Sequence, residues 1–512
     1  MTLVPQTLHV SGVAAHAGSP RLLLFVILVV TLCAGGGLIA LESETPDAGF
    51  LLSTVAATFS LAAIFVEDYR RSGNALSPMC LSAVIMFLLF PFHGLVTQDS
   101  PFLTSLIGND ADHWRGLALL VMTASVPFFW LGYNSRLGAR LAARLPSPGF
   151  RLDDEHSSVR WKLIVLYVFA MLPRLLIITT GQLFHWGGER EVSDFDFILH
   201  VLGNIPVFAT TYLLVVGVRS RNRLWLLTGL LMLAGEVVWG LVSGSRMRMF
   251  IPLVAAVAAL SYLGRPFRLR RFLFALVAFA LIVFPFTTAF REAYVERTGE
   301  LGRDGIEGTS LFDVVSDAAI KGDGGADFFE GDGPIEALAE RLHGLTSLAL
   351  IIRYTPERHD YLMGVPYLLI APQILLPRFV WPDKPPLSPF SDSFRFDYWG
   401  IDPSGGTSVA TSLLGDLWVN LHLFGALVGS WCFAFFMAFV FRHLKYGIVT
   451  DSIFPMVVFA AHLTDFLHAF EGSLDGTVAG IVKSLFIYFL IAWFLSQRRP
   501  QRAPVGTPRA HA

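Results

Sequence analysis

Twelve apolar runs, most of them close to the length that crosses a bilayer, constrain this chain more than any other feature. They fall at 22–41, 49–66, 78–96, 114–133, 163–183, 197–218, 224–242, 250–263, 272–290, 421–441, 453–470 and 478–495. The run at 250–263 is the shortest and is expected to extend at both ends. Hydrocarbon offers no partner to a free backbone N–H or C=O, so runs of this length predict helices. Composition agrees: 54% of residues are hydrophobic, 15% are charged and 44 are Phe, a balance that water cannot solvate as a folded surface. The reading is an all-α polytopic membrane protein. Net charge is −2, which gives no argument for nucleic acid. Cys33, Cys80 and Cys432 all sit in apolar runs and make poor candidates for a disulfide framework or a metal site. The first run, about 20 residues, exceeds a signal-peptide core, so a retained helix is expected.

Lys and Arg alternate between loops, which predicts orientation. One set of loops holds Arg70 and Arg71; Arg136, Arg140, Arg144, Arg151, Arg160 and Lys162; Arg219, Arg221 and Arg223; Arg265, Arg268, Arg270 and Arg271; Arg442 and Lys445. The tail at 498–512, with Arg498, Arg499, Arg502 and Arg509, belongs to the same set. The short loops between carry Glu42, Glu44 and Asp47, Asp110 and Asp112, and Glu471 and Asp475. Both termini are therefore expected in the cytoplasm. The division is a membrane domain at 1–290 with nine spans, a large extracytoplasmic loop at 291–408, three further spans within 409–497, and a basic cytoplasmic tail. No internal repeat is visible, which mildly disfavours a transporter built from inverted halves.

Two features oppose the charge rule. Arg246 and Arg248 stand on the outer side at a helix start, where free N–H groups and guanidinium both favour an anion such as phosphate. Snorkelling of two long side chains is the plainer alternative. The loop at 291–408 carries ten basic residues, also outside. Within it, 370–415 gathers Arg378, Lys384 and Arg395 with Asp383, Asp392, Asp397 and Asp402 among prolines and aromatics. Arg378 and Lys384 flank a proline-stiffened turn, and Trp381, Phe394, Tyr398 and Trp399 offer faces for sugar stacking or for an interfacial belt. The prolines of 367–381 predict a re-entrant or interfacial segment there. The Gly-rich acidic stretch 313–332 reads as a solvated linker. After it, Ile335, Leu338, Leu342 and Leu345 predict a helix along the membrane surface.

Inside the apolar runs, Arg174 would cost about 2.5–3.5 kcal/mol to insert alone. It therefore needs a polar cavity or a partner, and Glu236 is one candidate. The run 453–470 carries His462, Asp465 and His468 three apart, followed by Glu471. Asp465 beside His468 is a candidate acid–base pair, against a simple polar cavity lining. Asp416 is a further outer-face carboxylate.

The layout resembles the bacterial O-antigen polymerases, the Wzy-type oligosaccharide repeat-unit polymerases with a GT-C-like fold. VSGSRMRMFIPL looks like that family's Ser-Arg element at an outer helix start, although it departs from the commoner Ser-Arg-Gly form. LPRFVWPDKP looks like its Pro-Arg…Trp-Pro-x-Lys-Pro element, and SLLGDLWVNLHLFGALVG resembles its Gly-x-x-Gly re-entry in part. These motifs span some 50 residues; the topology covers most of the chain. The resemblance implies a glycosyltransferase of the bacterial inner membrane. It would join undecaprenyl-diphosphate-linked donor and acceptor glycans in O-antigen or exopolysaccharide synthesis, within a lipid environment and with a chain-length regulator as a candidate partner. Arg246, Arg248, Arg378, Lys384 and Arg174 would bind diphosphate. Trp381, Tyr398 and Trp399 would bind sugar. His468 with Asp465, or Asp392, would supply the base. The donor carries its own leaving group, so no cofactor, metal or nucleotide sugar is expected. An O-antigen ligase or another polyprenyl-dependent glycosyltransferase and, from another class, a polysaccharide flippase or transporter are the alternatives.

Overall fold

The computed structural model describes residues 20–43, 45–98, 106–145, 157–179, 194–242, 246–262, 266–279, 286, 289, 342–375, 381, 389–400, 409–448 and 453–495. Every element among them is helical. The first half contains α1 (Pro20–Leu41), α2 (Pro46–Ser72), α3 (Pro78–Val96, with a π-helical turn at Leu88–Phe92), α4 (Ala111–Tyr133) and the short α5 (Arg136–Arg144). Then come α6 (Ser157–Thr179), α7 (Asp194–Arg219), α8 (Arg223–Val242), α9 (Arg246–Tyr262) and α10 (Leu269–Ala278). The remainder holds α11 (Gly344–Tyr354), α12 (Val365–Leu375), α13 (Pro389–Asp397), α14 (Leu413–Phe424), α15 (Ser430–Ile448), α16 (Phe454–His468) and α17 (Leu474–Leu495).

Each of the twelve apolar runs lies at least partly in a helix. Among the described residues, six stretches are long and apolar enough to cross a membrane: Pro46–Ser72, Pro78–Val96, Ala111–Arg144, Arg223–Gly240, Leu413–Leu444 and Leu474–Leu495. Val26–Leu41, Ile205–Arg219 and Met249–Tyr262 are apolar but shorter. Many large side chains stay on the outside, including Ile39, Leu172, Leu231 and Trp493. An apolar exterior of this extent is that of a membrane-embedded protein.

The loops that share basic residues gather at one end of the bundle. Ala75 N–H donates to the Phe267 carbonyl (2.9 Å), and Leu269 N–H donates to the Tyr69 hydroxyl. Arg71 reaches Asn134, and Arg442 forks onto the carbonyls of Tyr133 and Ser135 at 2.7 and 2.8 Å. At the opposite end His113 meets the Leu41 carbonyl. There the fully buried Arg115 donates to the Gly94 carbonyl (2.8 Å) and to the Thr97 hydroxyl, satisfying the end of α3. Ser412 N–H on the Glu471 carbonyl (2.8 Å) and Leu474 N–H on Asp416 (2.9 Å) belong to this end too.

Two elements at that second end position the site. Helix α11 is sunk into the bundle against α3, α4 and α14, and ten of its eleven residues are buried. Leu345, which the sequence places on a surface helix, is among them. Helix α14 is not continuous. Leu421 (φ −143°, ψ 26°) and His422 (φ 55°, ψ −148°) break it, so the buried segment 413–420 folds back on the longer helix that follows. Helix α12, eleven residues with Pro372 inside, is too short to cross, in keeping with the interfacial segment expected there.

Candidate functional site

A cleft of about 590 Å³ opens where α11 ends. One wall is the turn after α11, with Arg358, His359 and Asp360. The facing wall is α13, with Phe390, Ser393 and Asp397, followed by Tyr398. Leu362, Pro366 and Val419 form the apolar base, and Leu362 N–H donates to the Val419 carbonyl (2.9 Å), stitching the turn to α14.

The walls are held by rings. Phe390, Phe394 and Tyr398 recur every four residues, on one face of α13, with centroids 5.5 and 5.2 Å apart. The Tyr398 hydroxyl shares a 2.8 Å hydrogen bond with Thr355, and burial pushes its pKa up to about 12. The His359 ring lies tilted against Tyr398, centroids 4.6 Å apart, and donates through Nε2 to the Asp397 carbonyl at 3.2 Å. The Arg358 guanidinium lies over the Tyr354 ring at 4.2 Å, within cation–π range. One guanidinium, one imidazole and two carboxylates thus border an aromatic and aliphatic floor. Such a surface offers hydrogen bonds of both senses to a polyol, and flat faces to its C–H groups.

Behind the cleft, Asp416 is buried and receives the Tyr367 hydroxyl (3.0 Å) and Leu474 N–H (2.9 Å). The second bond caps α17, whose first turn favours a negative charge. Asn420 bonds the Asp416 carbonyl one turn on (2.8 Å). Asp416 is therefore spent on joining α12, α14 and α17.

The residues singled out in the sequence are dispersed. Tyr398 lines the cleft. Its neighbour Trp399 is buried with its ring against His343 (5.1 Å) and is not part of the lining. Trp381 is half-buried. Asp392 lies on α13, and Arg246 and Arg248 lie in the first turn of α9; their side chains lie outside the described residues, as do Arg378 and Lys384 altogether. Arg174 is buried and grips Glu236 with both terminal nitrogens, at 2.7 and 3.0 Å, so of the two expected uses the partner prevails over diphosphate binding. Asp465 hydrogen-bonds His462 (3.1 Å), where the sequence pairs it with His468. The reason is burial: the His462 ring is fully buried and needs a partner, whereas the exposed His468 has water. Arg358 and His359 were missed. The signal was available, since RYTPERHD is a dense charge run directly after an apolar helix.

At the turn after α16, burial holds the Glu471 carboxyl above its ordinary range, and the charge of His468 pulls it partly back. A carboxyl raised in the folded state binds its proton more tightly there. Its contribution to stability is complete below the unfolded value and is lost as pH rises through the folded one. Glu471→Gln is therefore expected to flatten the fall in Tm from about pH 4.5 upward. An unchanged pH profile in the variant would assign that fall to another group.

Comparison with known proteins returns no matching family model, no matching curated protein and no matching solved structure.

Proposed function

We propose that this chain is a membrane glycosyltransferase that polymerises undecaprenyl-diphosphate-linked oligosaccharide repeat units at the outer face of the bacterial inner membrane. In this reading it crosses the membrane twelve times with both termini in the cytoplasm. The observation that carries the reading is the cleft at the end of α11: mixed charge over aromatic rings, fixed to the end of a membrane-embedded bundle opposite the basic loops. That end would face the periplasm under the positive-inside rule.

The cleft would take the glycan. Arg246 and Arg248, at the start of α9, would take the diphosphate with help from the helix N-terminus, as would Arg378 and Lys384. The reaction needs stabilisation of the departing diphosphate as its charge develops, and a base for the attacking hydroxyl. Asp360 and Asp397 border the cleft, and Asp392 lies on the same helix as Asp397, so the base is assigned to this carboxylate group. A flippase would need a mid-membrane cation open to substrate. Arg174 is the mid-span candidate for that role, and Glu236 occupies it.

The test is a glycan ladder by gel from cells that lack the gene, complemented with wild type, Arg246→Ala or Arg358→Ala. Both variants are expected to insert normally and to lose long chains by roughly 100-fold or more, while core capped with a single repeat unit persists. Loss of all capping, with polymer accumulating on the polyprenyl carrier, would instead mean a ligase. Normal long chains from both variants would end the assignment.

A further inference from the structure

We infer that helix α5 and the corner before it form a binding site for anionic phospholipid headgroups. Three separate stripes run along this helix. At 100° per residue, Arg136, Arg140 and Arg144 share one stripe, and Leu137 and Leu141 share the next, with Leu145 just past the helix end. Gly138 and Ala142 turn the third stripe towards α15, where Phe435 stands 3.3 Å from the point a β-carbon at Gly138 would occupy. The packed stripe explains the fold of the corner; the other two are left open.

The open leucines are the informative part. Leu137 and Leu141 are 55% and 38% exposed, on a nine-residue helix that follows a spanning helix after a two-residue corner, and Leu145 just beyond its end is 47% exposed. The last turns of α4 expose Phe128 and Leu131 as well, so apolar surface continues from the span into the corner. A leucine stripe continuous with the lipid-facing surface of a span is covered by acyl chain. A neighbouring arginine stripe then lies at the level of the headgroups. All three arginines are exposed, and no carboxylate occurs between 134 and 145. The nearby Glu67 already binds Arg71 at 2.6 Å, and Arg71 also reaches Asn134 at the corner. Among the described residues, the three arginines are left to meet phosphate.

The corner is also preorganised. Ser135 (ψ 126°) leaves the helical path, the Arg442 fork holds the carbonyls of Tyr133 and Ser135, and His443 donates to the Ala142 carbonyl (3.4 Å). The arginine stripe is thus presented from a fixed backbone and not from a mobile tail, which lowers the ordering cost of binding.

The test uses the full chain, delipidated in neutral detergent, with Tm followed as phosphatidylglycerol or phosphatidylcholine is added. Wild type is expected to be stabilised at lower concentrations of phosphatidylglycerol than of phosphatidylcholine, and to lose the preference in 0.5 M salt. The R136Q/R140Q/R144Q variant is expected to need about 100-fold more phosphatidylglycerol, roughly fivefold for each arginine. Its response to phosphatidylcholine should stay as in wild type. R140E alone is expected to weaken the preference more than R140Q, and it serves if the triple variant does not accumulate. Equal responses to the two lipids in wild type would overturn the site. So would an undiminished preference in the variants, or an equal shift with inorganic phosphate. Displacement of phosphatidylglycerol by an acidic peptide at lower concentration would reassign the stripe to a protein partner.

Discussion

Glu236→Ala is expected to destabilise the fold by about 3–5 kcal/mol. Arg174 is 8% exposed, and both its terminal nitrogens lie on Glu236, with a further bond to the Gly203 carbonyl (3.2 Å) and the Trp239 ring 5.3 Å away. Hydrogen bonds between membrane helices average only about 0.6 kcal/mol in double-mutant cycles, so the pair itself adds little. The cost lies in stranding a guanidinium among apolar helices. Unfolding titrations of Glu236→Ala, Arg174→Ala and the paired Arg174→Met/Glu236→Leu would separate the two terms. Each single change should be severe, and the pair should recover most of the loss. If the double variant were as unstable as the sum of the singles, the two side chains would be acting independently and the stranded-charge account would fail.

Gly425→Ala is expected to be among the most damaging conservative changes in the chain, and Gly429→Ala to be milder. After the break at 421–422, the chain doubles back, and Gly425 packs directly under the segment 413–420. A β-carbon there would land on the carbonyl oxygen of Leu417, part of a helical backbone that has nowhere to move. At Gly429 the obstacle is the end of the Leu417 side chain, which can change rotamer. Overpacking typically costs about 1–3 kcal/mol, with backbone obstacles at the upper end or beyond. Comparing the two variants for Tm tests the fold-back. Equal tolerance of both would mean that the two segments are further apart than described.

The sequence made the membrane class legible because hydrocarbon imposes its demand residue by residue. The alternation of basic loops was legible for the same reason, and the loops it groups do meet: 74–75 with 267, and 133–135 with 442. Arg174 and Glu236 could be paired on paper because a charge inside an apolar run must find its opposite. The choice between His462 and His468 for Asp465 could not be made, since both are three residues away and only burial separates them. The cleft was illegible in a stronger sense. Its walls come from 358–366, 390–398 and 419, and nothing in their local pattern announces that a short apolar helix is driven into the bundle beside them. Tyr398 is conspicuous as an aromatic next to charges; Arg358 is not, because its charge run is short and lies apart from the proline-rich turn further along.

The sunken helix α11 has a consequence for the order in which the chain can be made. Its floor, α3 and α4, is synthesised early, but its far side rests on α14, which leaves the ribosome some 60 residues after α11 does. Until α14 arrives, a helix with ten buried residues has one face uncovered, and the cleft lacks Val419 from its base. The segment around the cleft therefore cannot mature as a separate unit ahead of the last membrane helices. Truncation anywhere before 420 should yield a chain that inserts its first helices yet offers no finished cleft, a vulnerability set by geometry at the closing stage of translation.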